Sequence, residues 1–243
     1  MFNEEENVGH ALALIVEALE RHAGDYEIIV VDDASTDSSP AIVSRAAAAN
    51  SRIRLLRHAR NRTLGRTIRT GFASATMELV LYMDADLPVD PDELGRAIRV
   101  MYVTRADVVA GYRFDRVPEG YRRHIYSLVY NLLIRLLFHW PCRDINFAFK
   151  LLRREVLDNI ALHSEGSLID AELIVKARNA GFLVQQMGLD YFPRIYGQSN
   201  LASPMVVIKL LRELLSLYPE MRRRTRSRRP STAPCSSSTN DAR

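Results

Sequence analysis

Asp84 and Asp86 stand two residues apart at the end of the apolar run Leu79-Val80-Leu81-Tyr82-Met83. Side chains two apart on an extended segment point the same way. A strand here would carry two carboxylates side by side where it leaves its sheet. Clustered anions repel unless a proton or a cation joins them. Oxygen ligands of this kind suit Mg2+ or Mn2+, which commonly bridge to substrate phosphates. The pattern predicts a metal–diphosphate site; the plainer alternative is a turn with two solvated acids. A second acid pair, Asp32-Asp33, ends the run Tyr26–Val31. Its plainer reading is an Asp-Ser-Thr turn in which Asp37 caps a helix starting at 38.

The elements that must position these acids alternate. Residues 4–22 read as a helix, with Asn3 as cap, Glu4, Glu5 and Glu6 in the first turn, and Leu12, Ile15, Val16 and Leu19 on one apolar face. Strands at 26–31, 53–56, 79–83 and 107–111 are separated by helices at 38–50 and 65–76. A further helix is capped by Asp90 with Pro91 at its first position. Alternation of this kind predicts an α/β fold with a doubly wound, mostly parallel sheet. Ligands of such sheets sit beyond the carboxyl ends of the strands, so the two acid pairs are expected to share one rim. The second half is less regular. It reads as a long helix at 120–140, a strand at 148–152, a helix at 167–180, strands at 182–187 and 189–192, and a strongly amphipathic helix at 204–218. From Arg222 onward the composition is that of a disordered segment.

With 243 residues, 47% of them apolar, the chain can bury a full core. The net charge of +4 misleads, because seven arginines against Glu220 and Asp241 lie in residues 219–243. The body is close to neutral, which argues against a nucleic-acid enzyme. The basic tail suits contact with an anionic surface. Cys142 and Cys235 form no CxxC pair, so neither a zinc site nor a disulfide framework is expected, and the setting predicted is reducing and cytosolic. No stretch of 18 apolar residues occurs. Helices 121–140 and 205–218 mix apolar residues with Arg, Lys, Tyr or Trp. They read either as core-facing helices or as interfacial ones lying on a membrane.

Seven motifs in order make a family resemblance. They are Phe2-Asn3-Glu4-Glu5-Glu6-Asn7, Val30 to Asp37, Asp84-Ala85-Asp86-Leu87, Gly111-Tyr112-Arg113, Asp144 to Lys150, Asp170-Ala171-Glu172-Leu173 and Arg194 to Ser199. Together they resemble a family-2 glycosyltransferase of the polyprenyl-phosphate (dolichol-phosphate-mannose-synthase-like) branch, over roughly residues 2–200. The resemblance implies the nucleotide-diphospho-sugar transferase (GT-A, Rossmann-like) fold, with helices on both faces of the sheet. It divides the chain into a nucleotide-sugar-binding half at 1–111, an acceptor half at 112–218 and a basic tail at 219–243. It also implies metal-dependent, inverting transfer of a hexose from a nucleotide-diphosphate sugar to a polyprenyl phosphate, at the cytoplasmic face of a membrane.

The same resemblance assigns residues. Asp84 and Asp86 hold Mg2+ or Mn2+, with Asp84 also near the donor ribose. Asp33 accepts a ring N–H of the donor base. Glu5 lies beside the base or ribose, or is simply a first-turn helix acid. Arg113, Arg123 and Arg194 clamp phosphates, Arg194 and Ser199 toward the acceptor; a solvated surface charge is the alternative for each arginine. Asp144 positions the sugar or fixes a loop. Mannose, glucose or another hexose, with guanine or uracil, all fit.

Three departures accompany the resemblance. The family opens with an apolar interior strand just before the Asn-Glu-Glu motif, and this chain begins at Met1-Phe2. A missing first strand would expose two strand edges, and a chain so shortened is expected to be unstable or inactive. Pro88 follows Asp-Ala-Asp-Leu where close relatives carry Gln, which removes one potential ligand. Thr63 stands where relatives often have Gly. Two rival functions remain at this stage. One is transfer to a saccharide or protein hydroxyl, which needs a carboxylate base near Asp170 or Glu172. The other is an inactive scaffold on a membrane surface. A Rossmann dehydrogenase lacks its G-x-G-x-x-G here.

Overall fold

Runs of Val, Ile and Leu too apolar to face water on either side are buried as strands between two helical layers. The computed structural model describes residues 1–114, 121–139, 143–192 and 204–223; of 121–127 and 204–208 it describes only the helical backbone. In chain order the elements are α1 (Val8–His22), β1 (Ile28–Asp32), α2 (Ser39–Ala49), β2 (Ile53–Arg57), α3 (Thr63–Ser74), β3 (Leu79–Met83) and α4 (Glu93–Thr104). They continue with β4 (Val108–Arg113), α5 (Tyr121–Phe138), β5 (Phe149–Arg153), α6 (Arg154–Asn159), α7 (Ile169–Asn179), β6 (Val184–Leu189) and α8 (Pro204–Met221).

The strands form two sheets. β1 and β2 pair in parallel, Ile28 opposite Ile53. The other sheet has the order β3-β5-β4-β6. β5 runs antiparallel to both β3 and β4, while β4 and β6 are parallel. β3, β4 and β6 thus share one direction and β5 alone is reversed, so the strands are mostly parallel, as expected, with one antiparallel insertion. β5 follows the long α5 and inserts between two strands that α4 connects, entering from the opposite end. Because β3 and β4 both oppose β5, they point the same way, and their carboxyl ends open on one rim.

Alternate residues of these strands feed two cores. Val80, Val108, Ala110 and Leu152 pack with α7 and α8 residues such as Leu173, Ile174 and Leu214. Val109, Phe149, Leu151, Met187 and Leu189 pack with Leu94, Ala97 and Met101 of α4. A strand covered on both faces is the reason these runs lack polar alternation. A third core joins α1 and α2 to β1 and β2.

Several boundaries differ from expectation. α1 starts at Val8, and Glu4, Glu5 and Glu6 precede it. Asn3 does not cap it: Asn3 has φ of 53° and its Oδ1 accepts the Thr36 amide at 2.9 Å. The segment is held by the loop after β1, not by the helix. α4 starts at Glu93, because Asp90 turns its carboxylate onto the Asp92 amide in a preceding turn. One strand, Val184–Leu189, replaces the two expected at 182–192; its register with β4 ends at Arg113 opposite Leu189. Beyond it the Phe192 amide bonds to the Pro88 carbonyl at 3.0 Å. α6 has six residues, too few to show periodicity.

Met1 lies on the edge of β1, its amine donating to the Val31 carbonyl at 2.7 Å and its carbonyl accepting from the Asp33 amide at 2.9 Å. Among the described residues no strand joins β1 to β3. No described helix is long and apolar enough to cross a membrane.

Candidate functional site at the carboxyl rim

The acids predicted to converge do so. Asp33 follows the end of β1 and Asp84 the end of β3. Asp84, Asp32, Glu4 and Asp33 all bear on the Met1 amine, which burial holds below its ordinary range against their pull. β3 ends at Met83, so Asp84 is just outside the strand and Asp86 lies in the turn that follows. The strand alternation that suggested a common direction therefore stops short of Asp86. Both carboxylates nevertheless press on Tyr82. Burial pushes its phenol well above the ordinary value, and the charges of Asp170, Asp84 and Asp86 and a hydrogen bond to Asp84 add to this. The neutral hydroxyl is thus a fixed donor to the first acid of the pair. Both acid pairs are followed by a left-handed residue, Ala34 at φ 65° and Leu87 at φ 49°. Non-glycine residues in that region are uncommon, and such strain gathers at ligand sites.

Behind the rim lies a buried ion pair. Lys150 Nζ is 2.5 Å from Asp170 Oδ1 and 2.7 Å from the Phe147 carbonyl. The lysine is 1% exposed and the aspartate 4%. Burial raises the Asp170 carboxyl against the pull of Lys150. The same ammonium sits 5.7 Å from the Tyr82 ring centroid. Glu172, two residues on, faces elsewhere: it accepts the His163 and Ser164 amides and pairs with Lys176 at 2.7 Å. Asp170 and Glu172 thus diverge, as their spacing on a helix requires.

Arg113 closes β4 on the same rim as Asp84. Its guanidinium grips Asp144 through two bonds of 2.7 and 3.3 Å and lies over the Tyr191 and Phe147 rings. Asp144 is buried, so this pair fixes the cation's position. Gly111, two residues earlier, leaves no space for a Cβ, which would meet Leu189 at 2.6 Å. Glu5 accepts the Ser38 amide at 2.9 Å, and its own amide donates to Asp37. Partial burial raises the Asp37 carboxyl, but the Ser39 hydroxyl and amide and the Glu5 amide outweigh this and hold it low. Asp37 therefore steadies the start of α2, but from one residue before the N-cap position, which Ser38 and not Asp37 occupies. Asp32 is fully buried and accepts the Ser35 amide. The Arg123 side chain, and Arg194 and Ser199 entirely, lie outside the described residues, as do residues 224–243.

Three contributors escaped the sequence reading. Tyr82 stands two residues before Asp84, and that spacing next to the acid pair was an available signal. Lys150 is a cation flanked by Phe149 and Leu151-Leu152 in the strand Phe149–Arg153, which marks a buried charge in need of a partner. His58, at the end of β2, bonds to Asp33 at 2.7 Å, and no local pattern announces it. The Thr63 anomaly has a physical basis: its φ is 70°, a region that suits glycine and that a β-branched residue seldom adopts.

No group of three or more His, Cys, Asp or Glu gathers to ligate a metal among the described residues. Asp84 and Asp86 would supply two carboxylates, fewer than a full shell. Such a pair fits an ion that completes its coordination with phosphate oxygens and water.

The sequence profile of the glycosyl transferase family 2 matches residues 1–161. Among curated proteins, the glycosyltransferase AglD of Haloferax volcanii is 30% identical over 200 residues, which cover 79% of this chain but only 32% of that protein. The chain thus spans about a third of this relative. The polyprenol monophosphomannose synthase of Mycolicibacterium smegmatis is 30% identical over 214 residues, covering 83% of this chain and 78% of that one. Among solved structures, glucosyl-3-phosphoglycerate synthase of Mycobacterium tuberculosis, with Mn2+, UDP-glucose and phosphoglyceric acid, superposes with a TM-score of 0.71. It covers 90% of this chain and 77% of its own at 17% identity, a likeness of fold.

Proposed function

The chain belongs to glycosyl transferase family 2, and on that premise we propose that it transfers a hexose from a nucleotide-diphosphate sugar to a polyprenyl phosphate, with inversion. The observation that carries this reading is the unequal use of carboxylates. Asp84 and Asp86 stand at the rim, where a diphosphate would lie. The acids that could serve as a base for a hydroxyl acceptor are committed to cations: Asp170 to Lys150, Glu172 to Lys176 and Asp144 to Arg113. An acceptor that needs no base fits this arrangement. The second pKa of a phosphate monoester is about 6, so near neutrality it is already a nucleophile and needs positioning rather than deprotonation.

Asp33 would receive an N–H of the base and Asp84 the ribose side of the donor. Asp84 and Asp86 would hold Mg2+ or Mn2+; the ion, when bound, neutralises charge building on the leaving diphosphate. Arg113, fixed by Asp144, adds a preorganised cation on the same rim. Arg123, Arg194 and Ser199 are proposed for the acceptor phosphate. The names of the relatives support the acceptor class, and the Mn2+ in the solved neighbour supports the cation.

The lipid acceptor implies a membrane surface beside the site. Leu128, Leu132 and Leu136 of α5 recur at helical spacing and stand exposed, as do Leu211 and Leu215 of α8. The opposite faces pack in the core through Ile134 and Leu214. Exposed leucines, with an arginine-rich segment following α8 in the sequence, suit a peripheral, interfacial placement at the cytoplasmic leaflet. Replacing Leu132 and Leu136 by Glu is expected to reduce co-sedimentation with phosphatidylglycerol vesicles several-fold; unchanged sedimentation removes this face from the account. The reaction itself is tested with radiolabelled nucleotide-sugar and polyprenyl phosphate. The reading predicts label that extracts into organic solvent and needs Mn2+ or Mg2+. Label appearing only on a water-soluble saccharide would contradict it.

A further inference from the structure

We propose that His58 is a positioning residue of the nucleobase subsite, orienting Asp33 so that one chosen oxygen meets the base. The inference rests on Asp33 reading the base, as proposed above, and adds how its carboxylate is aimed. β2 carries His58 to the rim, where its amide continues the β1–β2 ladder by donating to the Asp32 carbonyl at 2.9 Å. The ring is 9% exposed and Asp33 5%. Nδ1 lies 2.7 Å from Asp33 Oδ1, and Nε2 lies 3.0 Å from the Thr70 hydroxyl on α3. An ionised carboxylate only accepts hydrogen bonds, so Nδ1 carries the proton that faces it. The Thr70 hydroxyl, itself anchored on the Arg66 carbonyl at 3.0 Å, holds the far side of the ring.

The asymmetry at Asp33 is the informative point. The Arg62 amide also donates to Oδ1, at 2.8 Å. Both side-chain bonds therefore end on the same oxygen, and Oδ2 accepts none from the described residues. Nor is Oδ2 among the buried polar atoms that lack a partner. One oxygen is clamped from two sides, and the other is left for a ligand's N–H. A carboxylate held this way does not have to be reordered when a base arrives, which is how preorganisation raises affinity. The plainer alternative is a core histidine that merely joins β2 to α3.

Two substitutions separate these roles. Asn places an amide nitrogen near the Nδ1 position and can still donate to Asp33. Gln reaches toward Thr70, as Nε2 does, but cannot hold Asp33 in the same way. Binding of UDP and of GDP, each with Mn2+, is measured by calorimetry for the full chain, with Mn2+–pyrophosphate as a ligand lacking the base. His58→Gln is expected to weaken the preferred nucleotide by about tenfold, the scale of one hydrogen bond to a charged group. Its pyrophosphate affinity stays unchanged, which also reports an intact fold. His58→Asn is expected to bind within about threefold of the parent on the same scale. The inference is overturned if His58→Gln binds nucleotide like the parent, if it loses nucleotide and pyrophosphate alike, or if Asn fails to rescue. Asp33→Ala separates the two levels. If it loses nucleotide affinity while His58→Gln does not, only the role of His58 falls. If Asp33→Ala binds nucleotide normally, the base subsite falls, and this inference with it.

Discussion

The acids of the first half and those of the second half serve opposite ends. Asp33, Asp84 and Asp86 lie just beyond the ends of β1 and β3, Asp33 accepting from His58 and the Arg62 amide and Asp84 bonded to the Tyr82 hydroxyl. Asp144, Asp170 and Glu172 sit against Arg113, Lys150 and Lys176. A carboxylate facing a buried protein cation already has its charge balanced and is part of the scaffold. The carboxylates at the rim are the ones proposed above to meet the donor and its ion. The difference teaches that motif membership alone does not assign a role, since both sets belong to the motifs that mark the family. The buried cations against Asp144, Asp170 and Glu172 mark those three as scaffold.

The comparison breaks first at Asp86. Asp86→Asn is expected to abolish measurable sugar transfer, a loss of at least about a thousandfold if it carries the electrostatic stabilisation proposed, while thermal unfolding stays unchanged. Near-parental transfer would remove Asp86 from the rim set. The reverse signature is expected at Lys150. Lys150→Met leaves Asp170 buried without its cation and should cost about 3–5 kcal/mol of stability by denaturant unfolding. The double variant with Asp170→Leu should recover most of it. A stable Lys150→Met variant with lost activity would move the pair from scaffold to chemistry.

Tyr82 is the link between the two sets, touching Asp84 in front and Lys150 behind. Tyr82→Phe keeps the ring and removes the donor. A loss of about 1–2 kcal/mol in transition-state stabilisation, read as kcat/KM, is expected with little change in melting. Because the phenol is pushed above its ordinary range, its loss of a proton should not appear in the pH profile at or below pH 9. The smallest effect is expected at Thr63. Thr63→Gly relieves a left-handed backbone and should stabilise by about 1 kcal/mol. The lost bonds of its hydroxyl to the Arg62 and Glu165 carbonyls offset part of that. A destabilised variant would show that those bonds outweigh the strain.

Much of this was legible beforehand because it is local. β3 was read to the residue, and alternation of strands and helices placed both acid pairs at carboxyl ends. The clamp of Arg113 on Asp144 was not legible. Neither was the pairing of Lys150 with Asp170. Both depend on β5 inserting antiparallel between β3 and β4, a long-range choice that no window of sequence encodes. The start of α1 was misread for the same reason: Asn3 and Glu5 bond to Thr36 and Ser38, more than thirty residues away. Had Asn3 been free, its cap would have been the natural outcome.

The rim carboxylates are proposed to hold a divalent cation together with the donor diphosphate. Calorimetric titration of Mn2+ into the protein with saturating nucleoside diphosphate tests it most directly. The account predicts one tightly bound ion in the parent chain, and binding lost in Asp84→Asn and in Asp86→Asn but retained in the Asp170→Asn variant. Equal Mn2+ uptake by the parent and both rim variants would contradict it.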